Sequence, residues 1–280
     1  MVVQNNQRLD DRGVSESIGF LLIFTIVIVG IGLVTLYGYP LLLKQQVSAD
    51  EKIMEKNMIV LQNDFKSLAY KTVPYKETSL KIGSGSLAIY NSSYTPSSSA
   101  ITIRYSSTPQ TIVGPFQPGE LLYESVSAQT KISLQNGAVV MRPSIQPGST
   151  MLSEPRWFYD KNPITTKATL VINLINITSD NIMAKEGIGT VRMKLGKTDY
   201  SSNPPTAGGS VVIDYTPDPG LNGMDYSVAW DNYMKKTFSN QPGLTFNPSG
   251  TPGTGLTLTY TLSPIDTLVV KQYEVKIVAI

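Results

Sequence analysis

The order of apolar and polar residues divides the chain into an apolar stretch, an amphipathic stretch and a long remainder of short alternating runs. Between Glu16 and Lys44 the sequence contains no Asp, Glu, Lys or Arg. As an α-helix rising about 1.5 Å per residue, this interval extends about 40 Å, which exceeds a hydrocarbon core of about 30 Å. The pattern therefore predicts a transmembrane helix over residues 14–43, with residues from about 18 to 43 in the membrane.

The next stretch, residues 44–73, has the spacing of an amphipathic helix. Its apolar residues recur at intervals of seven, four and three, and most charged residues fall between them. Such an apolar seam must be buried, either against a domain of the same chain or against the same helix of a neighbouring subunit. The seam residues predicted to pack in this way are Met54, Met58, Leu61, Phe65 and Leu68.

Beyond Pro74, β-branched and aromatic runs alternate with Gly, Pro, Asn and Ser clusters, which predicts a β-rich domain over residues 74–280. Asn136-Gly137 between two apolar runs is the signal of a type I′ hairpin. One helix is predicted at residues 226–238, with Trp230, Met234 and Phe238 on one face. The predicted strands are 85–90, 100–105, 131–134, 138–142, 168–177, 189–195, 210–215, 255–262 and 267–279.

These patterns together give a fold class of α+β, mainly β. A long N-terminal α-helix, made of the membrane span and its amphipathic extension, precedes a β-sandwich-like globular domain. The apolar segment itself admits three interpretations. A secretory signal peptide is disfavoured because the run is too long and no small-x-small cleavage site follows it. A plain transmembrane anchor and a pilin-type segment both remain open.

The pilin interpretation depends on the residues that precede the apolar run. Residues 10–13 (DDRG) are followed by 14–20 (VSESIGF), so a short polar leader ends in Arg-Gly directly before a helix that begins polar and becomes wholly apolar. This arrangement resembles the class III signal sequence of archaeal type IV pilins and archaellins. The resemblance implies that residues 1–13 are a leader, which a prepilin peptidase removes at the cytoplasmic face by cutting between Gly13 and Val14.

The resemblance is to the archaeal branch of these proteins. Bacterial pilins carry a glutamate at the fifth mature position, whereas the fifth position here is Ile18 and the early carboxylate, Glu16, is third. Gly30 and Gly32 lie in the middle of the apolar run, where glycine permits close approach between helices. The alternative is that a membrane helix simply tolerates glycine there. Pro40 predicts a kink near the end of the span.

Composition excludes several functions. The 280 residues include 23 Lys+Arg and 21 Asp+Glu, so a net charge of +2 gives no basis for nucleic-acid binding. The absence of Cys and His excludes disulfides, thiolate catalysis and histidine-based acid–base chemistry. No nucleotide-binding or hydrolase motif is present. We therefore expect no enzymatic activity, no catalytic residues and no cofactor.

Two sequons are candidate N-glycosylation sites if the β-rich domain is extracellular. Asn91 begins the first, in a polar turn expected at the surface, and Asn176 begins the second, at the end of a predicted strand. Asp214, Asp218 and Asp225 lie close together in a turn-rich stretch that calcium ligands also favour. Asp is equally an ordinary turn residue, and the spacing is not that of an EF-hand, so no metal site is assigned.

The sequence thus predicts a pilin-like structural subunit of an archaeal cell-surface filament that serves in adhesion or surface attachment. The resemblance implies as partners membrane lipid, the prepilin peptidase and other pilin-like subunits, in a homo- or heteropolymer, and no nucleic acid. The chain would be a single-pass membrane protein with its C-terminal domain extracellular, and would enter a surface filament on assembly. The alternative is a membrane-anchored extracellular binding domain that does not polymerise.

Overall fold

The structure, a computed structural model, describes residues 11–91, 99–107, 111–203, 209–217 and 224–280, with side chains described from residue 17 onward except at 202 and 203. The chain forms two compact units, the N-terminal unit (Met1–Ala49) and the folded domain (Asp50–Ile280). The helices are α1 (Asp11–Leu33), a π-helical turn (Val34–Gly38), α2 (Tyr39–Lys71) and α3 (Ser227–Phe238). The strands are β1 (Tyr75–Tyr90), β2 (Ala100–Tyr105), β3 (Thr111–Phe116), β4 (Glu120–Ser125), β5 (Thr130–Gln135), β6 (Ala138–Pro143), β7 (Thr150–Ser153), β8 (Trp157–Lys161), β9 (Ala168–Ser179), β10 (Ala184–Asn203), β11 (Gly209–Thr216), β12 (Thr245–Ser249), β13 (Leu258–Ile265) and β14 (Thr267–Ala279).

The described part of the N-terminal unit is helical throughout. A π-helical turn lies directly before Pro40, and in it the Tyr39 N–H donates to the Val34 carbonyl; the predicted kink itself stays a prediction. A proline has no N–H and its ring crowds the preceding turn, and a π-helical turn relieves this by shifting the hydrogen-bond register. The helix therefore continues through the proline instead of ending there.

Two sheets form most of the folded domain. The nine-stranded sheet has the order β7-β6-β5-β4-β1-β10-β14-β9-β8, and the five-stranded sheet has the order β12-β13-β11-β2-β3. Neighbouring strands are antiparallel except for β14 and β9, which are parallel. The predicted fold class, α+β and mainly β with a long N-terminal helix, is confirmed.

The nine-stranded sheet separates two hydrophobic cores. Leu121 and Tyr123 in β4 point to the core that the C-terminal part of α2 covers, whereas Leu122 between them points to the other core. The second core also contains side chains of the five-stranded sheet and of α3, among them Trp230 and Tyr260. The folded domain therefore has three layers, with α2 on one face of the large sheet and the small sheet with α3 on the other.

The predicted seam of α2 is the helical side of the first core. Met54, Met58, Leu61, Phe65 and Leu68 are all fully buried there against the nine-stranded sheet. Of the two partners open to the seam, the chain's own domain covers it. Asp50 does not follow the expected polar pattern, because its carboxylate is also buried and accepts from the Lys81 ammonium at 3.2 Å.

The turn between β5 and β6 has the type I′ geometry that Asn136-Gly137 predicts. Asn136 and Gly137 have φ values of 46° and 69°. Positive φ at both central positions is what a type I′ turn requires, and Asn-Gly adopts it at low cost. The Asn136 side chain also accepts a hydrogen bond from the Ile175 N–H at 2.9 Å, which fixes the hairpin to β9.

A buried amide of α2 joins the helix to the sheet. The Gln62 side chain is fully buried. Its Nε2 donates to the carbonyls of Gly137 at 2.6 Å and Glu154 at 3.0 Å, and its Oε1 accepts from the Ser153 hydroxyl at 2.5 Å. A side chain on the apolar face thus satisfies polar groups of two separate loops.

We expect Gln62→Leu to lower the free energy of unfolding by about 1–3 kcal/mol, because it leaves buried polar partners unpaired. Denaturant-induced unfolding measures the change, and Asn63→Leu is the control. Since Asn63 is exposed on the same helix, its replacement should change stability by no more than about 0.5 kcal/mol. Equal effects of the two changes would contradict a structural role for the amide.

Candidate functional site

The apolar segment of the N-terminal unit exposes all of its large apolar side chains. Each large apolar side chain from Ile18 to Leu43 leaves between 43% and 73% of its surface exposed. Water-soluble monomers rarely expose contiguous apolar patches larger than a few hundred Å². This helix surface therefore requires apolar surroundings, either lipid or protein, and it is the candidate functional site.

The two threonine hydroxyls of the segment are satisfied within the helix itself. The hydroxyls of Thr25 and Thr35 donate to the carbonyls of Leu21 and Ile31, each at 2.8 Å. Threonine commonly bonds back to the preceding turn in this way, and a helix also satisfies its own backbone groups. Among the described residues, a single helix is long and apolar enough to cross a membrane, judged by length and composition.

Among the described residues, no side chain or backbone outside the helix itself packs closely on Gly30 or Gly32. A Cβ atom added to either would meet no atom within 4 Å. Gly119 in the folded domain is a contrast, because its φ is +61° and an added Cβ would lie 2.4 Å from the Ile177 carbonyl oxygen. The two helix glycines are thus open for close approach of another helix, and their packing role stays a prediction.

The predicted cleavage position lies at the N-terminal end of α1. Gly13 and Val14 belong to the first turn of this helix, which begins at Asp11. The rest of the predicted leader, residues 1–10, lies outside the described residues, as do the side chains up to Glu16. Cleavage between Gly13 and Val14 therefore stays a prediction.

The prediction that Asn91 lies at the surface is wrong. Its side chain is buried, with 4% exposed, and its Nδ2 donates to the Ser179 carbonyl at 3.2 Å. The polar turn that suggested exposure continues into residues 92–98, which lie outside the described part. Asn176 is half-buried in β9, opposite Glu274 of β14. The Asn91 amide nitrogen therefore does not lie on an open surface of the folded domain, whereas N-glycosylation at Asn176 stays a prediction.

The two described aspartates among those considered as calcium ligands form hydrogen bonds within the folded domain. The Asp214 carboxylate accepts from the Arg104 guanidinium at 3.0 Å and from the Thr259 hydroxyl at 2.7 Å. Asp225, just before α3, accepts from the Ser227 N–H at 2.8 Å and from the Gly255 N–H at 3.1 Å. Asp218 lies outside the described residues. Within the described ranges, no group of three or more acidic side chains is arranged to hold a metal ion.

Sequence reasoning missed a groove on the folded domain. It lies beside the C-terminal part of α2 and is lined by Lys66, Tyr70, Arg156 and Lys236, among others. These residues belong to α2, the segment after β7 and α3. No local motif connects them, so only the folded structure brings them together.

Comparison with known proteins gives one family. The family described as "Family of unknown function (DUF7289)" matches residues 12–220, from α1 through β11. The match therefore includes the whole apolar segment and most of the folded domain. No curated protein and no solved structure matches the chain.

Proposed function

The chain belongs to DUF7289, a family of unknown function, and we propose that it is a pilin-like structural subunit of an archaeal cell-surface filament. The observation that carries the proposal is the continuous apolar exposure of the helix from Ile18 to Leu43. This helix holds the subunit in the membrane before assembly, with the leader in the cytoplasm and the folded domain outside. Because the family match begins at residue 12, the apolar segment belongs to the region that the family shares.

In this proposal, assembly moves the helix from lipid into a filament core made of the same helix from other subunits. Both surroundings are apolar, so the transfer changes apolar burial little and close packing decides which is favoured. Gly30 and Gly32 offer bare backbone for this packing, since a Cβ atom added to either would meet no described atom within 4 Å outside the helix's own backbone. The seam of α2 takes no part, because the folded domain already buries it.

The position at which the leader is cleaved tests the proposed function. We expect the mature protein to begin at Val14 and to be recovered from filaments sheared off the cell surface. Gly13→Val should block cleavage, because a β-branched side chain crowds the carbonyl that the peptidase attacks. The variant should keep its first residue, Met1, and should remain in the membrane fraction. Mass spectrometry of the sheared and membrane fractions measures both results.

Gly19→Val is the matched control for this experiment. A side chain at Gly19 meets no atom within 4 Å, and valine suits an apolar environment. Its N-terminus should therefore be the same as that of the wild type. A wild-type chain that begins at Met1, or that begins far from Val14, would disprove the leader.

One observation favours a second function, a membrane-anchored extracellular domain that binds a ligand without polymerising. The α2 seam is fully covered by the chain's own sheet, so the folded domain does not need a neighbour to bury it. The two functions differ in where the chain is found. Sheared filaments that contain the chain support the pilin-like subunit, whereas a processed chain that stays monomeric in the membrane fraction supports the anchored domain.

A further inference from the structure

A groove of about 1000 Å³ crosses one side of the folded domain. Its walls are the C-terminal part of α2, the segment from Met151 to Arg156, and one side chain of α3. Four cationic side chains and one carboxylate line it. They are Lys66, Lys71, Arg156, Lys236 and Glu154.

The single carboxylate of the groove is already paired. The Lys236 ammonium contacts the Glu154 carboxylate at 2.6 Å. Among the described residues, Lys66, Lys71 and Arg156 form no ion pair with a carboxylate. With four cations and one carboxylate in its lining, the groove therefore presents a net excess of three positive charges on one concave surface.

The charged form of Lys66 is disfavoured by its surroundings. Its side chain is half-buried, and burial, together with the nearby Arg156 guanidinium, lowers the pKa of Lys66 from its ordinary value of 10.5, an effect that the Glu154 carboxylate offsets only in part. A half-buried ammonium beside another cation gains when an anion arrives, because the anion replaces lost hydration and screens the repulsion. The position is suited to a negatively charged ligand.

The other groups of the lining distinguish between kinds of anion. Asn63 and Ser67 on α2 and Ser153 on β7 line the same groove. The Ser67 and Ser153 hydroxyls already donate within the chain, to the Asn63 carbonyl and to the Gln62 Oε1, so each offers its oxygen as an acceptor, whereas the Asn63 amide can both donate and accept. Such groups hydrogen-bond a ligand that is itself rich in hydroxyls. Tyr70 is the aromatic residue of the lining, but one face of its ring is under the Arg156 guanidinium at 5.0 Å and it packs edge-on against Tyr273 at 5.4 Å.

This covered ring argues against single-stranded nucleic acid, which binds by stacking its bases on open aromatic faces. The chain's net charge of +2 also gives no extended positive field of the kind that holds a phosphate backbone. We propose that the groove binds an acidic polysaccharide, whose carboxylates pair with Lys66, Lys71 and Arg156 and whose hydroxyls bond the polar lining. Binding is a property of the folded domain and does not depend on whether the chain polymerises.

The test uses the full chain in detergent micelles and an oligogalacturonate as the acidic probe, with affinity measured by isothermal titration calorimetry. We expect binding that weakens with added salt. The double change Lys66→Gln/Arg156→Gln should weaken it about tenfold or more, because each lost charge-assisted hydrogen bond contributes substantially to affinity. Lys71→Gln, at an exposed position, should weaken it without disturbing the fold.

Lys56→Gln is the matched control, because Lys56 is exposed on the same helix but does not line the groove. Its affinity should equal that of the wild type, and thermal unfolding should show that every variant is folded. A wild-type chain that does not bind the probe overturns the proposal. Equal binding of a neutral oligogalactan, of polyglutamate or of single-stranded DNA also overturns it, as does full affinity in the double variant.

Discussion

Replacing Phe65 with alanine should lower the free energy of unfolding of the folded domain by about 3–5 kcal/mol. The Phe65 side chain is fully buried at the centre of the core between α2 and the nine-stranded sheet. Its removal loses the transfer free energy of a benzyl group and leaves a cavity that the rigid sheet cannot collapse to fill. Denaturant-induced unfolding, followed by circular dichroism, measures the loss.

Val60→Ala is the control, since Val60 lies on the same helix with 48% of its surface exposed. It should change stability by no more than about 0.5 kcal/mol. The difference between the two variants isolates the packing of the seam from any change in helix propensity, because both introduce alanine into α2. Similar losses at the two positions would mean that this face of α2 does not pack on the sheet in solution.

The seam was predictable because it depends on local spacing. Residues at intervals of three and four lie on one face of a helix wherever the helix is, so periodicity alone selected Met54, Met58 and Leu61. Periodicity does not identify the partner, so the sequence allowed the seam to pack on the chain's own domain, on a neighbouring subunit, or on both. The polar exceptions on the buried side were equally hidden. Asp50 and Gln62 are buried only because Lys81 and two loops of the sheet satisfy them.

The strands were predictable where one face is apolar or a turn is distinctive, as at Asn136-Gly137. The prediction omitted β3, β4, β7, β8, β12 and the first part of β1. In β4 the residues 120–123 are buried on both faces, so the strand lacks the alternation that marks a half-buried one. Strands β3 and β12 contain Pro115 and Pro248, and both are edge strands, where a sheet tolerates proline.

Candidate sites were predictable only where their residues are neighbours along the chain. Asn91 is buried because its amide donates a hydrogen bond to the carbonyl of Ser179, which lies 88 residues away in the sequence. The cationic groove depends in the same way on Lys66, Arg156 and Lys236, which three separate elements bring together. The apolar helix needs no such partner, so its composition alone indicated the surroundings that its exposed surface requires.

Placing two arginines in the middle of that helix should prevent stable membrane insertion. Ile26 and Val29 lie near the centre of the segment, with 62% and 54% of their surfaces exposed. At the centre of a membrane helix, exchanging an apolar residue for arginine costs about 3–4 kcal/mol, so the pair costs about 6–8 kcal/mol. A pair cost of that size is comparable to what about 20 apolar residues together contribute to insertion.

The measurement is the fraction of chain that stays with the membrane after alkaline extraction. We expect the wild type to stay in the pellet and most of Ile26→Arg/Val29→Arg to leave it. Ile164→Arg/Val126→Arg is the matched control, because these side chains are 89% and 84% exposed in the folded domain and meet water in either case. The control should stay in the pellet. Retention of the helix variant at the wild-type level would show that residues 18–43 do not hold the chain in the membrane, and the pilin-like proposal would fail with it.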